Sequence, residues 1–245
     1  MFSFYKKRTY DDFSFLKRDI HAHLLPGVDD GAKTVEESLQ LMQGLGELGF
    51  EHLTATPHVM ADYYPNTRAN LEVGYGELMA AAEKSGGLPR LHPGAEYMLD
   101  PGFDAWLNRG DLFHWSKKRR VLVEMSYMAV SPSLEEQIFA LQIKNYQPVL
   151  AHPERYLYYH GNPEKLKQLK AAGCEFQLNL LSLNGYYGPG SRKAALKLLK
   201  EKMYSWAGTD VHNLKQLEEL KLLLTQRQLM AILLRYEFMN QNVYI

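Results

Sequence analysis

Six of seven short apolar segments in this chain run directly into a histidine, an aspartate or a glutamate, and that repeated placement narrows the folds open to it. The segments fall at 15–20, 52–55, 91–95, 121–124, 148–151, 175–179 and 204–207. The first runs into His21 and His23, the second into Thr56-Pro57-His58, and the third into Glu96. The fourth ends in Glu124, the fifth runs into His152, and the seventh into Gly208-Thr209-Asp210-Val211-His212. Helical patterns lie between them. The first opens with Thr34 and Glu37, a capping box, carries Leu39, Met42, Leu45 and Leu48 at helical spacing, and closes at Gly49. Others are expected at 68–83, 103–108, after Ser131-Pro132-Ser133, and at 163–171, 191–202, 214–223 and 225–239. Alternating strands and helices imply a parallel α/β sheet covered by helices. In an open sheet the six strand ends would lie in a row, too spread to share one site. In a barrel they converge on the C-terminal mouth, so a seven-stranded barrel is expected.

The residue types at the mouth suggest metal. His21 and His23 stand at i and i+2, so an extended strand points both imidazoles to one face. Pro26-Gly27 and Asp29-Asp30-Gly31 then turn the chain and can return a carboxylate towards them. Imidazoles and carboxylates without thiolate suit manganese, iron or zinc. Read with the other strand ends, the set implies a multinuclear site. His52, His92, His114 and His160 do not fall at strand ends and are given no role.

Bulk properties exclude several classes. A formal net charge of zero and a pI near 7.1 give no global electrostatic reason to expect nucleic acid as a partner. Cys174 is the single cysteine, which rules out an intramolecular disulfide and reads as cytoplasmic. No apolar run approaches the roughly 18 residues of a transmembrane segment, and no apolar stretch follows the basic residues Lys6, Lys7 and Arg8 as a signal peptide requires. Residues 1–13 are expected to form an N-terminal extension and residues 14–245 a single barrel domain.

The motifs Asp-Ile-His-Ala-His, Pro-Gly-Val-Asp-Asp-Gly-Ala-Lys-Thr, Thr-Pro-His, Gly-Ala-Glu-Tyr, Val-Glu-Met, Ala-His-Pro-Glu-Arg-Tyr and Gly-Thr-Asp-Val-His resemble the PHP (polymerase and histidinol phosphatase) superfamily. Within it the chain is most similar to the metal-dependent protein-tyrosine phosphatases of bacterial capsule and exopolysaccharide operons. The likeness spans roughly residues 15 to 240. It implies a distorted (β/α)7 TIM-like barrel and three divalent ions, usually manganese. By motif position, one ion is expected at His21, His23, Glu96 and Asp210, and a second at Glu96, Glu124 and His152. The third is expected at Asp30, His58 and His212, with Gln177 and Asn179 supporting the ligands. Family members often carry an arginine shortly after the last Asp-x-His. Here that stretch is Asn213-Leu214-Lys215-Gln216, leaving Lys215 as the only cation in its place.

Clustered divalent ions suit phosphomonoester hydrolysis, because they acidify water and neutralise phosphoryl oxygens. Arg155, three residues after His152, is the expected guanidinium for the phosphate. The expected substrate is a phosphotyrosine protein, the tail of a membrane-associated tyrosine kinase of polysaccharide export. Tyr63, Tyr64, Tyr97, Tyr127, Tyr156, Tyr186 and Tyr187 follow strand ends and are candidates to pack on a phenyl ring. A cysteine-dependent phosphatase is excluded, since Leu180 stands where Cys174-x5-Arg would need arginine. An amidohydrolase would want lysine in place of Glu124 and a histidine in segment 175–179. A small-molecule phosphomonoesterase of the histidinol-phosphatase type shares the metal set and is the enzymatic alternative. A catalytically silent docking module is the other.

Overall fold

The computed structural model describes residues 12–242. Nine parallel strands form two sheets: β1 (Arg18–Ala22), β2 (His52–Ala55) and β4 (Arg90–Pro93) in one, and β3 (His58–Val59), β5 (Glu96–Met98), β6 (Arg120–Glu124), β7 (Gln147–Ala151), β8 (Glu175–Asn179) and β9 (Trp206–Gly208) in the other. The helices are α1 (Val35–Glu47), α2 (Arg68–Ser85), α3 (Phe103–Arg109), α4 (Leu134–Ile143), α5 (Pro163–Ala171), α6 (Leu181–Asn184), α7 (Gly188–Lys200), α8 (Leu214–Leu224) and α9 (Arg227–Arg235). No helix among the described residues is long and apolar enough to cross a membrane.

Seven expected strands become nine: the second segment, 52–55, forms β2 as expected but a short β3 follows it, and the third, 91–95, is interrupted at Gly94 between β4 and β5. Pro57 lacks the N–H that a central strand needs, so β2 stops before it and β3 resumes at His58. Beside it, Gly94 separates β4 from β5. A Cβ on Gly94 would lie 2.8 Å from Thr54 Cγ2, so the close approach there admits only glycine. The Tyr75 hydroxyl, sent in from α2, patches the gap. It accepts from Gly94 N at 3.1 Å and gives its single proton to Gly94 O (2.6 Å) or Ala55 O (2.7 Å). The break lets the upper halves, β3 and β5, turn inward with His58 and Glu96 while the lower halves stay with β1.

The chain ends meet on the far side. Asp210 N donates to His21 O at 2.7 Å and His23 N donates to Val211 O at 2.9 Å, joining the end of β1 to the segment after β9. Thr209 adds its backbone N–H and hydroxyl to the buried Asp19 carboxylate. β1 begins later than the apolar run suggests. Phe13–Lys17 is a turn, with Leu16 N on Phe13 O and Lys17 at φ 59°. Phe13, assigned from sequence to the extension, is fully buried against Phe50, while residues 1–11 lie outside the described part.

Alternation along the strands sorts two cores. Val121 and Val123 join the large cluster under the helices, whereas Leu122 joins Ile20, Trp115, Val149, Ala151 and Trp206 on the inner side. Arg120 and Glu175, a bidentate pair at 2.8 and 3.2 Å, share that inner side, and Trp206 Nε1 donates to the same carboxylate. Glu124, Gln177 and Asn179 have the inner parity too, two or four residues nearer the C-terminal ends. The inner side is therefore plugged with apolar bulk below and lined with polar groups above.

Candidate metal centre

His21 Nε2 lies 3.1 Å from His23 Nε2, 3.3 Å from Glu96 Oε2 and 3.2 Å from Asp210 Oδ1. His23 Nε2 lies 3.5 Å from Glu96 Oε2 and 3.2 Å from Asp210 Oδ1. All four residues are at most 1% exposed. The first and last strands thus bring their ends to one point, with β5 supplying the third side. A register irregularity between Asp19 and Ala22 lets Ile20 and His21 both face inward.

Each imidazole is held from behind. His21 Nδ1 meets Gln177 Oε1 at 3.0 Å and His23 Nδ1 meets Asp29 Oδ2 at 2.8 Å. Those partners only accept, so they fix the proton on Nδ1 and leave a lone pair on each Nε2. Four lone-pair atoms then face one another. Ligand bonds of about 2.1 Å give coordination-polyhedron edges of about 3.0–3.4 Å, close to the 3.1–3.5 Å found between these atoms. Without a cation, protons must occupy that space. Burial alone would lower His21, but the Glu96 and Asp210 carboxylates outweigh it and raise it to about 10. Burial opposes ionisation of Asp210, yet the imidazoles hold it well below the usual carboxylate range.

Glu96 joins this group to a second. Its Oε2 is 3.1 Å from His58 Nδ1, which is 2.7 Å from Glu124 Oε1. Glu96 Oε1 faces His152 Nε2 at 3.1 Å. His58 Nδ1, Glu96 Oε2 and Glu124 Oε1 are buried with no hydrogen-bond partner of acceptable geometry among the described residues, as is His152 Nδ1. Burying such atoms without partners costs free energy that a cation would offset. A third group gathers His23, Asp30, His58 and His212: Asp30 Oδ1 is 3.4 Å from His58 Nε2 and 3.5 Å from His212 Nε2. All nine ligand-type residues picked out from sequence therefore lie in one contiguous cluster. The structure adds His58 beside Glu124, and sets His152 on the other oxygen of Glu96. His152 and Asp210 both occupy left-handed backbone conformations (φ 36° and 53°), unfavourable for residues with a Cβ and characteristic of functional positions.

Arg155 closes the cluster. Its Nη1 donates to Asp210 Oδ2 at 2.7 Å, and its guanidinium lies against the rings of Tyr127 and Tyr187. The turn that carries it, Pro153–Arg155, is pinned by Glu154. That buried carboxylate accepts from Asn179 N, Ser182 Oγ and Tyr204 OH. Lys215 is exposed and lines a cavity of 520 Å³ beside Asp30, Lys33 and His212.

The aromatic residues divide. Tyr64 stacks on His58 with centroids 5.6 Å apart, Tyr127 stacks on His152 at 5.8 Å, and Tyr187 covers Arg155. Tyr97 and Tyr156 are buried beneath the mouth, Tyr156 with its ring centroid 5.7 Å from that of His152. Both are core residues whose hydroxyls accept from Phe113 N and Met125 N. Tyr186 packs on the core, and Tyr63 projects into solvent, 81% exposed. The unassigned histidines are elsewhere: His52 meets His92 at 3.0 Å, His114 lies beside Tyr146, and His160 bonds Glu154 O.

Sequence reasoning missed Asp29. It chose Asp30 from the Asp-Asp pair, whereas Asp29 holds His23 and also accepts from His58 N (3.0 Å) and Gly31 N (2.9 Å). Adjacent aspartates in a turn carry no periodicity that would have separated them.

The family model for capsular polysaccharide synthesis, CpsB/CapC, matches residues 17–221. The tyrosine-protein phosphatase YwqE of Bacillus subtilis (strain 168) is 29% identical over 197 residues, 80% of this chain and 78% of that protein. The tyrosine-protein phosphatase CpsB of Streptococcus agalactiae serotype V is 25% identical over 201 residues, 80% of this chain and 83% of that protein. A crystal structure from work on YwqE of Bacillus subtilis and CpsB of Streptococcus pneumoniae, described as metal-dependent tyrosine phosphatases, superposes with a TM-score of 0.75. It is 27% identical and covers 90% of this chain and 95% of that chain.

Proposed function

The chain belongs to the CpsB/CapC family of capsular polysaccharide synthesis, and from that premise we propose that it is a metal-dependent protein-tyrosine phosphatase with a distorted (β/α)7 barrel of the PHP type. The observation that carries the reading is the set of four buried lone-pair atoms, on His21, His23, Glu96 and Asp210, spaced as the corners of a coordination polyhedron. Three divalent ions, with manganese preferred over iron or zinc, take the three overlapping groups. His21, His23, Glu96 and Asp210 hold one, Glu96, Glu124 and His152 the second with His58 alongside, and Asp30, His58 and His212 the third.

When bound, divalent ions in such a cluster supply positive charge that polarises a phosphoryl group and lowers the pKa of water towards neutrality. The side chains supply the rest. Glu96, with one oxygen towards His152 and the other towards His21, His23 and His58, ties the three groups together. Gln177 and Asp29 hold His21 and His23 in the tautomer that leaves Nε2 free to coordinate. Arg155 offers planar N–H donors to the non-bridging phosphoryl oxygens. Tyr64 and Tyr127, each stacked on a ligand histidine, stand as the walls for the substrate's phenyl ring. A tyrosyl leaving group, with a pKa of about 10, departs with less proton assistance than an alkyl alcohol. The natural substrate is the phosphorylated tyrosine tail of a membrane-associated kinase of polysaccharide export, reached from the cytoplasm.

Turnover of a phosphotyrosyl peptide, a phosphoseryl peptide and histidinol phosphate at equal manganese tests this. The phosphotyrosyl peptide is expected to have much the highest kcat/KM. Arg155→Ala is expected to impair every monoester while metal content stays intact. A preference for histidinol phosphate would overturn the assignment in favour of a small-molecule phosphatase.

A further inference from the structure

We infer that Tyr187 is a positioning residue for phosphate binding: its ring holds the Arg155 guanidinium in the orientation that meets the phosphoryl group. This rests on Arg155 as the phosphate anchor, as proposed above.

An arginine on a three-residue turn has several rotamers open to it, and its affinity for phosphate depends on how many it must give up on binding. Here the choice is already made. The guanidinium carbon lies 3.9 Å from the Tyr187 ring centroid and 4.7 Å from that of Tyr127, while Nη1 donates to Asp210 Oδ2 at 2.7 Å. A planar guanidinium makes hydrogen bonds only along its edge. Stacking therefore occupies a face that no phosphate can use and leaves the remaining edge N–H groups available.

Tyr187 is in turn fixed through the same acid. Its hydroxyl accepts from Asn179 Nδ2 at 3.2 Å, and that amide also donates to Asp210 Oδ2 at 2.8 Å. Arg155, Asp210, Asn179 and Tyr187 thus form a closed ring of contacts, in which moving one member moves the others. Tyr186 braces the ring edge-on, centroids 5.0 Å apart at 89°. The backbone is shaped for this. Gly185 and Gly188 flank the two tyrosines at φ 89° and 91°, turns that residues with a Cβ rarely adopt, and they bring Tyr187 back over the end of β8. Of the seven segments read from sequence, 175–179 is the one whose end offers no histidine or acid, and on this reading the contribution of β8 to the site is the clamp that follows it.

The test is a double-mutant cycle with inorganic phosphate as the probe. Tyr187→Leu, Tyr187→Phe, Arg155→Ala and the Leu/Ala double variant are assayed on 4-nitrophenyl phosphate and phosphotyrosyl peptide in manganese. Inhibition by inorganic phosphate and bound metal are measured for each. Tyr187→Leu is expected to lower kcat/KM and weaken phosphate inhibition by about 2- to 30-fold, with metal content unchanged. Tyr187→Phe, which keeps the ring but loses the hydroxyl held by Asn179, is expected to fall between wild type and Tyr187→Leu, with metal content unchanged. Tyr187→Leu is expected to cost nothing further in the Arg155→Ala background. Should Tyr187→Leu fail to fold, Tyr187→Gln provides the same comparison at this half-buried position. Full additive loss in the double variant would overturn the inference, because Tyr187 would then act on substrate independently of Arg155. Wild-type kinetics for Tyr187→Leu would overturn it as well. Wild-type kinetics for Arg155→Ala would instead remove the phosphate-anchor reading on which it stands.

Discussion

Replacing Asp29 with asparagine isolates the support behind one ligand without touching a ligand itself. The Asp29 side chain is fully buried and its carboxylate accepts three hydrogen bonds. Its Oδ2 takes His23 Nδ1 at 2.8 Å and His58 N at 3.0 Å, and its Oδ1 takes Gly31 N at 2.9 Å. Asparagine has the same shape but one acceptor oxygen. Either Gly31 N–H or the His23 and His58 pair must then face an amide NH2. A buried donor left without an acceptor costs about 1–3 kcal/mol, a fall in Tm of about 2–12 °C for a chain of this length. Loss of a carboxylate behind a ligating imidazole typically weakens metal binding by about 10- to 100-fold, or about 1.4–2.7 kcal/mol. The assay is activity against free manganese on a phosphotyrosyl peptide, with Tm measured in parallel. Asp29→Asn should move the manganese midpoint upward by that factor and regain turnover at saturation. A lower Tm with an unmoved midpoint would refute the role given to Asp29. Lost turnover at full metal occupancy would also refute it, because Asp29 would then belong to the chemistry itself.

Gly31→Ala should disable the centre by displacing backbone: the new Cβ would lie 2.4 Å from His23 O and 2.5 Å from His23 Cβ, so the loop carrying Asp29 and Asp30 must move. Manganese titration should show weaker binding than in wild type; unchanged binding would contradict the placement of that loop. Away from the metal centre, burial and the nearby Arg18 push His92 down to about 4 from its ordinary 6.5. A depressed histidine contributes stability that is present above its unfolded pKa and is lost as pH falls from about 6.5 towards 4. Urea unfolding of metal-free protein at pH 7.5 and 5 should therefore show a drop that His92→Gln reduces. An equal drop in both proteins would mean that other groups carry it.

Much of the site was legible because strand ends are periodic in sequence. Each apolar run predicts where its strand stops, and the residue just beyond is placed at the mouth by topology alone. That logic reached His21, His152 and Asp210, which lie far apart in the chain and meet in space. It failed where position depends on packing. The short β3 beyond Pro57 was not read, and the third segment looked continuous across Gly94, which breaks it, because ladder hydrogen bonds and backbone approach are decided between strands. α6 was absent from the sequence reading, since four residues carry no helical period. Tyr97 and Tyr156 were expected at the mouth with Tyr127 and Tyr187. Tyr97 lies within β5 directly after the inward-facing Glu96, so alternation turns it to the core, and Tyr156 lies beyond the Pro153–Arg155 turn, which buries its ring completely.

The most direct test of the central claim is phosphotyrosyl-peptide turnover before and after metal removal, with bound ions quantified in the same samples. Cleavage by wild-type protein should vanish as chelation strips the ions and return on addition of manganese. Glu96→Ala, which removes the residue shared between groups, should neither retain the ions nor recover. Undiminished turnover by protein shown to be free of metal would contradict the account.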